Sequence, residues 1–181
     1  MSKSNNSRRD FLKKSSAAGV GFFIVPRNVL GGPGFIAPSD QLDVVAFGAG
    51  GKGYSDMTNA YNGGINRIVA ICDVDPKRAE RAIKEHPKAK FYEDYRELLD
   101  NEKRFDAATV STPDHNHAKI AYEAMLRGKA VYVQKPLTHT IAEARLLTET
   151  ASAQKVVTQM GNPGGSNIGV QKIIEWVNER R

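Results

Sequence analysis

The chain has 181 residues, which is enough for one domain with appendages but short for two full domains. Hydrophobic residues make up 40% of the sequence and charged residues 25%, as in ordinary globular proteins. The formal net charge is +6, but residues 1–30 hold six basic residues and one acidic residue, which leaves 20 basic and 19 acidic residues for the remainder. The remainder therefore has no basic excess of the kind that nucleic-acid binding requires, and we expect no nucleic-acid partner.

The first 30 residues have the architecture of an export signal. The segment Ser7-Arg8-Arg9-Asp10-Phe11-Leu12-Lys13 precedes a moderately apolar run. That run is about a dozen residues long, whereas a bilayer-spanning helix needs about 20, so we expect no membrane span. The arginine pair followed by Phe-Leu-Lys resembles the twin-arginine motif, which the translocation machinery reads as an address. We predict a twin-arginine signal peptide over residues 1–30 and export to the periplasm; a basic amphipathic N-terminus is the alternative.

Beyond this leader, residues 31–41 are rich in Gly and Pro and are predicted to be a linker. From Leu42 onward, short apolar runs alternate with amphipathic stretches, which predicts an α/β fold with a doubly wound, mostly parallel sheet. The predicted strands are residues 43–47, 65–72, 90–92, 107–110, 130–133 and 156–159. The predicted helices are residues 51–61, 76–85, 95–100, 117–127 and 140–154, with a final helix from residue 168.

The turn after the first predicted strand matches the pattern G-x-G-x-x-G, as Gly48-Ala49-Gly50-Gly51-Lys52-Gly53. Gly48 allows a tight turn, Gly50 lets the backbone approach a diphosphate, and Gly53 allows close packing of helix on strand. The diphosphate would then lie on free N–H groups at the positive end of the helix dipole. The motif alone is weak, but its position between a strand and a helix predicts a dinucleotide site that also includes Gly51 and Lys52.

An acidic residue at the end of the second predicted strand supports this interpretation. Asp73 lies twenty residues after Gly53, where a carboxylate accepts hydrogen bonds from the adenosine ribose hydroxyls. The same carboxylate repels a 2′-phosphate, so NAD is predicted in preference to NADP, although Lys77 and Arg78 lie close enough in sequence to temper this preference. Asp75, just before Pro76, is predicted to be a helix cap.

Two further polar segments follow the fourth and fifth predicted strands. They are Ser111-Thr112-Pro113-Asp114-His115-Asn116-His117 and Gln134-Lys135-Pro136. In a doubly wound sheet, the loops after strand ends converge on the crevice where ligands bind. The pair His115 and His117 is spaced like two metal ligands, but no third ligand accompanies it, so no metal site is predicted. Cys72 is the only cysteine, which excludes an intrachain disulfide, and its apolar surroundings predict a small buried side chain.

Taken together, these motifs resemble the Gfo/Idh/MocA family of NAD(P)-dependent oxidoreductases over residues 42–162. The residues that match are the glycine motif, Cys72-Asp73-Val74-Asp75, Ser111-Thr112-Pro113 with His117, Gly128-Lys129 and Lys135-Pro136-Leu137. The resemblance implies a Rossmann domain followed by a substrate domain, a sugar or polyol substrate, hydride transfer to or from NAD, and a homo-oligomer. Residues 163–181 would then begin the connection to a substrate domain, and we expect that the sequence is truncated there.

The resemblance also implies roles for individual residues. Lys135 would lie near the nicotinamide and the reacting hydroxyl, Thr112 and Pro113 would line the cofactor, and His117 would open a helix beside it. We therefore assign Lys135 and His117 as candidate catalytic residues, and add Ser111 and Gln134 to the cofactor site. His117 could instead only cap or pack at the start of the helix, and Lys135 could be a plain surface lysine.

Gln134 departs from the family pattern, which usually has Glu at this position. Glutamine can hydrogen-bond but brings no charge to the neighbouring lysine. In the family the main base lies in the substrate domain, so no general base is assigned within residues 1–181, and little turnover is expected from this chain alone. Two alternatives stay open: a glycosidase that oxidises its sugar transiently with NAD, and a non-catalytic NAD-binding fragment.

Overall fold

The structure is a computed structural model that describes residues 36–179. The predicted export signal therefore lies outside the described residues, as does most of the predicted linker. By its internal contacts the chain divides into two units, residues 1–40 and 41–181. Of the first unit the structure describes one turn of 3-10 helix, Pro38–Asp40. The second unit contains all the predicted strands.

This second unit is built around one parallel sheet of six strands in the order β3-β2-β1-β4-β5-β6. That order defines the doubly wound Rossmann topology, in which the connections reverse direction between the first and fourth strands. The predicted fold is confirmed. The strands are β1 (Asp43–Phe47), β2 (Arg67–Cys72), β3 (Lys90–Tyr92), β4 (Ala107–Val110), β5 (Ala130–Gln134) and β6 (Thr158–Gly161).

Six helices accompany the strands of this unit. They are α1 (Lys52–Tyr61), α2 (Pro76–Glu85), α3 (Tyr95–Asn101), α4 (His117–Leu126), α5 (Ile141–Gln154) and α6 (Ile168–Glu179). Local capping explains several of their bounds. Asp75 caps α2 by accepting from the Lys77 N–H, which confirms its predicted role. Thr140 and Glu143 form a capping box at the start of α5, which the sequence predicts as a helix over residues 140–154.

The core lies on both faces of the sheet, because successive side chains of a strand point to opposite sides. In β1, Val44 and Ala46 join one apolar cluster together with Met57 of α1 and the alanines of α2. Val45 and Phe47 join the other cluster, which includes residues of α3, α4 and α5. This alternation places α1 and α2 on one face of the sheet and α3, α4 and α5 on the other.

Four strand boundaries differ from the predicted ones: β5 ends at Gln134 rather than residue 133, β6 ends at Gly161 rather than residue 159, and the starts of β2 and β6 also differ. The second strand begins at Arg67 rather than residue 65, because Asn62, Gly63 and Gly64 take positive φ angles in a short 3-10 turn that extends the helical segment. The sixth strand begins at Thr158 rather than residue 156. The amide of Val156 donates to the Ala151 carbonyl and so closes the end of α5 instead of joining the sheet.

The last helix, α6, has an apolar face, and this face is exposed. Ile173, Ile174 and Trp176 are 55%, 54% and 61% exposed, and none of the residues of α6 is buried. The helix therefore does not cover its apolar face by packing on the sheet. Among the described residues, no helix combines the length and the apolar character that crossing a membrane would require.

Candidate dinucleotide site

The turn between β1 and α1 can be formed only by glycine at two of its positions. Gly48 has a φ of +81°, and a Cβ there would lie 2.6 Å from the Ser111 carbonyl oxygen. A Cβ at Gly53 would overlap the carbonyl oxygen of Gly48 and lie 2.7 Å from its carbonyl carbon. The first glycine thus lets β4 come close to the turn, and the last one lets α1 start directly against it.

The same turn leaves N–H groups available at the start of α1. Gly51 occupies the N-cap position, and no side chain caps this helix end. Among the described residues, the amides of Gly50 and Gly51 have no recorded hydrogen-bond acceptor. Uncapped N–H groups at the positive end of a helix dipole form an anion site, and a dinucleotide diphosphate is an anion of suitable charge.

Asp73 follows β2 and faces this turn. Its Oδ2 accepts a hydrogen bond of 2.8 Å from the Ala49 N–H, and its Oδ1 accepts one of 3.0 Å from the Asp75 N–H. The carboxylate therefore holds the glycine turn against the end of β2. Each carboxylate oxygen has a second lone pair, so the group can still accept a hydrogen bond from a ligand hydroxyl.

A cleft of about 830 Å³ opens beside these residues at the carboxyl ends of β1, β2 and β4. Gly48, Asp73, Thr112 and Pro113 line it, together with Arg78, whose side chain packs on Gly50. The Thr112 hydroxyl is buried and has no hydrogen-bond partner within the described part of the chain. The cleft thus combines anion-binding amides, a ribose acceptor and an unsatisfied hydroxyl, a set of groups that fits a dinucleotide.

His117, the first residue of α4, connects the two polar loops rather than facing the cleft. Its ring is buried, with 1% exposure. Nδ1 lies 2.6 Å from the Pro136 carbonyl oxygen, and Nε2 lies 2.7 Å from the Thr112 carbonyl oxygen. Both nitrogens are thus engaged by main-chain carbonyls, which favours a positioning role for this residue. The catalytic role of His117 stays a prediction.

Lys135 and Gln134 lie at the end of β5. The Lys135 side chain is exposed, and a cis peptide bond joins this residue to Pro136. Gln134 is buried, with 5% exposure, and its Oε1 accepts from the Lys135 N–H at 2.9 Å. The structure thus brings the two loops together at the carboxyl edge of the sheet as expected, while the catalytic role of Lys135 stays a prediction.

Asp56 is the residue of this region that the motif reasoning missed. It lies on the second turn of α1 with 4% exposure, and its carboxylate accepts hydrogen bonds from Lys52, Ser111 and Gln134. The hydrogen bond from Lys52 to Asp56 is the main cause that raises the pKa of that lysine. An acidic residue four positions after a lysine on a helix was visible in the sequence as a surface ion pair, but its burial was not.

Cys72 and the histidines form no second chemical site here. Cys72 is buried, and burial raises the pKa of its thiol to about 12, so the thiolate is scarce at neutral pH. Within residues 36–179, no group of three or more His, Cys, Asp or Glu side chains is placed to hold a metal ion.

Fold and site together define a Rossmann domain with a dinucleotide cleft, and comparison with known proteins identifies its family. Residues 42–162 match the family model of the Gfo/Idh/MocA oxidoreductases, described as an oxidoreductase family with an NAD-binding Rossmann fold. The chain belongs to this family, and its Rossmann domain is of the NAD-binding kind. The sequence-based resemblance is thereby confirmed.

Curated relatives are identical to this chain at about a third of the aligned positions. Glycosyl hydrolase family 109 protein 1 of Shewanella sp. (strain ANA-3) is 33% identical over 184 residues, with 87% of this chain covered. Alpha-N-acetylgalactosaminidase of Shewanella oneidensis is 31% identical over 183 residues, with the same coverage. In both cases the chain spans 40% of the relative's length.

Solved structures support the fold at lower identity. Myo-inositol 2-dehydrogenase from Lactobacillus plantarum superimposes with a TM-score of 0.69 at 22% identity, over 77% of this chain and 41% of that protein. The WlbA dehydrogenase from Bordetella pertussis, solved in complex with NADH and UDP-GlcNAcA, gives a TM-score of 0.68 at 19% identity, over 78% of this chain and 43% of that one.

Proposed function

We propose that this chain binds NAD in the described cleft as part of an enzyme that acts on a sugar or polyol by hydride transfer. The observation that carries the proposal is the glycine turn, in which Gly48 and Gly53 permit contacts that no other residue would allow. The turn lies beside Asp73 and at the point where the sheet reverses direction, which is where open α/β sheets bind their ligands.

Different residues of the chain would bind different parts of NAD. The amides of Gly50 and Gly51 would hold the diphosphate, Asp73 would accept from the adenosine ribose, and the Thr112 hydroxyl would find its hydrogen-bond partner on the cofactor. When bound, the nicotinamide supplies the hydride chemistry. Lys135 would bind the alcohol oxygen of the substrate and polarise it.

Titration of NAD into the 181-residue chain tests the binding step. We expect saturable binding, and we expect the Asp73→Ala variant to lose at least about tenfold in affinity, because hydrogen bonds to a charged group contribute about 1.5–3 kcal/mol. Asp100→Ala, the same change at an exposed residue that does not line the cleft, is the matched control. An Asp73→Ala affinity equal to that of the unsubstituted chain would overturn the cofactor assignment.

A second candidate function is glycoside cleavage without net redox change. In this scheme bound NAD would supply a transient oxidation of the sugar, after which the glycosidic substituent would be eliminated, water would add in its place and the hydride would be returned. The scheme is supported by the names of the curated relatives, a glycosyl hydrolase and an α-N-acetylgalactosaminidase. A chromogenic α-N-acetylgalactosaminide, given to the 181-residue chain and to any longer product of its gene, separates the two functions. Aglycone release without net NADH supports glycosidase action, and NADH formation supports the dehydrogenase.

We also propose that Arg8 and Arg9 direct export through the twin-arginine pathway. Because this pathway carries folded proteins, the NAD-binding domain would leave the cytoplasm with its cofactor in place. Fusion of residues 1–41 to a reporter tests the signal. Export that continues after both arginines are replaced by lysine would contradict the proposal.

A further inference from the structure

A buried carboxylate joins three separate segments at the edge of the dinucleotide cleft. The Asp56 side chain accepts from the Lys52 ammonium on its own helix, from the Ser111 hydroxyl at 2.8 Å and from the Gln134 amide at 2.9 Å. These donors belong to the first turn of α1, the loop after β4 and the end of β5. One side chain thus fixes the glycine turn relative to both polar loops.

The Gln134 amide has only one orientation that satisfies its neighbours. Its Nε2 donates to Asp56, while its Oε1 accepts from the Lys135 N–H. Gly161 of β6 closes the other side, since a Cβ there would lie 2.9 Å from Nε2 and 2.7 Å from the Tyr132 hydroxyl. The amide is therefore held from three directions, and Lys135 is anchored through its backbone.

The charge of Asp56 determines which residue is tolerated at position 134. A glutamate in the place of Gln134 would bring two carboxylates to hydrogen-bond distance in a site where both residues are at least nine-tenths buried. Two carboxylates this close cannot both ionise, so they would share a proton. The other titratable groups that face the carboxylate are Lys52, from the same helix, and Tyr132, which acts electrostatically on Lys52.

We propose that Asp56 is a positioning residue of the NAD site: its charged carboxylate holds Lys52, Ser111 and Gln134 in register, and requires an uncharged amide at position 134. The departure from the usual glutamate therefore does not weaken the site. It matches the buried charge on α1, and the two residues act as a pair. The role in the NAD site rests on the proposed function, whereas the charge pairing is a property of the protein without ligand.

A double-mutant cycle tests the pairing. In Gln134→Glu, the shared proton raises a carboxyl pKa of the folded chain above its unfolded value of about 4, so stability falls as pH rises from that value toward the raised pKa. Thermal unfolding without NAD, measured between about pH 5 and about pH 9, follows this loss. We expect NAD affinity to fall in parallel, by up to about tenfold per pH unit.

The double variant Asp56→Asn/Gln134→Glu restores one amide and one carboxylate to the pair. We expect it to recover both stability and NAD affinity and to lose the pH dependence of Gln134→Glu. If Gln134→Glu alone does not fold, a double variant that folds also supports the proposal. Gln171→Glu, the same chemical change at an exposed position on α6, is the matched control and should leave both measurements unchanged.

Two results would overturn the proposal. One is a Gln134→Glu chain whose unfolding follows the same pH profile as the control. The other is a double variant no better than the worse of its single parents. If the unsubstituted chain does not bind NAD, the proposed function fails, and so does the role of Asp56 in the NAD site. The unfolding curves still decide whether Asp56 and Gln134 act as a pair.

Discussion

Replacement of Gly53 by alanine sets two physical effects against each other. Gly53 lies in the first turn of α1, where alanine would normally stabilise the helix by about 0.5–1 kcal/mol. The new Cβ, however, would lie 2.7 Å from the Gly48 carbonyl carbon, whereas ordinary contact begins at 3.4 Å. Contact with this carbon alone would require the helix and the turn to separate by about 0.7 Å, and the overlap with the Gly48 carbonyl oxygen requires more.

This separation is expected to outweigh the gain in helix propensity. Overpacking against a rigid neighbour costs about 1–3 kcal/mol, and the overlap with a backbone carbonyl places Gly53→Ala at the upper end, so the net destabilisation should be about 2 kcal/mol. For a chain of this size that corresponds to a fall of about 4–8 °C in melting temperature. NAD affinity should fall at least about tenfold, because the displaced amides no longer converge on the diphosphate.

Urea unfolding and NAD titration of Gly53→Ala check both values. Gly164→Ala is the matched control, since the nearest atom to its added Cβ is 3.7 Å away. The sign of the stability change decides between the two effects. A Gly53→Ala chain as stable as the unsubstituted one would refute the steric reasoning, because helix propensity alone would then describe the substitution.

Three further expectations concern residues around the cleft and the sheet. Cys72 should react with thiol reagents only as fast as the chain opens, because burial raises its pKa to about 12; rapid labelling of the native chain would show instead that the thiol is accessible. His117→Phe should cost about 2–4 kcal/mol in urea unfolding, because it removes the ring nitrogens that lie against two loop carbonyls, at least one of which receives an N–H; an unchanged midpoint would contradict the contacts. Hydrogen bonds from Lys90 and then Tyr92 lower the pKa of Glu102. The ionised carboxylate therefore stabilises the fold above the unfolded pKa of about 4.3, and this stabilisation is lost as pH falls through the folded pKa. Tyr92→Phe should show a smaller fall in melting temperature on acidification, and a fall equal to that of the unsubstituted chain would contradict a contribution of Tyr92 to the lowered pKa.

Local signals account for the parts of the structure that the sequence predicts well. The cap formed by Asp75, the capping box of Thr140 and the glycine turn all depend on residues within a few positions of one another. The doubly wound, mostly parallel sheet followed from the alternation of apolar runs and helices, because parallel strands need crossover connections. These features are confirmed because short-range chemistry or general topology determines them.

Long-range contacts explain what the sequence does not predict. The hydrogen bond between Asp56 and Gln134 joins residues 78 positions apart, and no local sequence pattern near either residue predicts it. The two carbonyl partners of His117 likewise depend on how two loops meet after the sheet has formed. The start of β6 was misplaced for a different, local reason, since the closure of α5 competes with the sheet for the amide of Val156.

The bonding of Asp73 links the choice of cofactor to the shape of the phosphate turn. In the proposed site, selectivity for NAD over its 2′-phosphorylated form would depend on the carboxylate, but the same group also accepts from the Ala49 N–H and the Asp75 N–H. A substitution that removed the Asp73 side chain to admit the extra phosphate would therefore loosen the turn at the same time. Asp73→Asn would remove the charge and keep one acceptor oxygen, but its amide nitrogen would then face one of these two N–H donors. A change of cofactor is thus coupled to a change in the glycine turn.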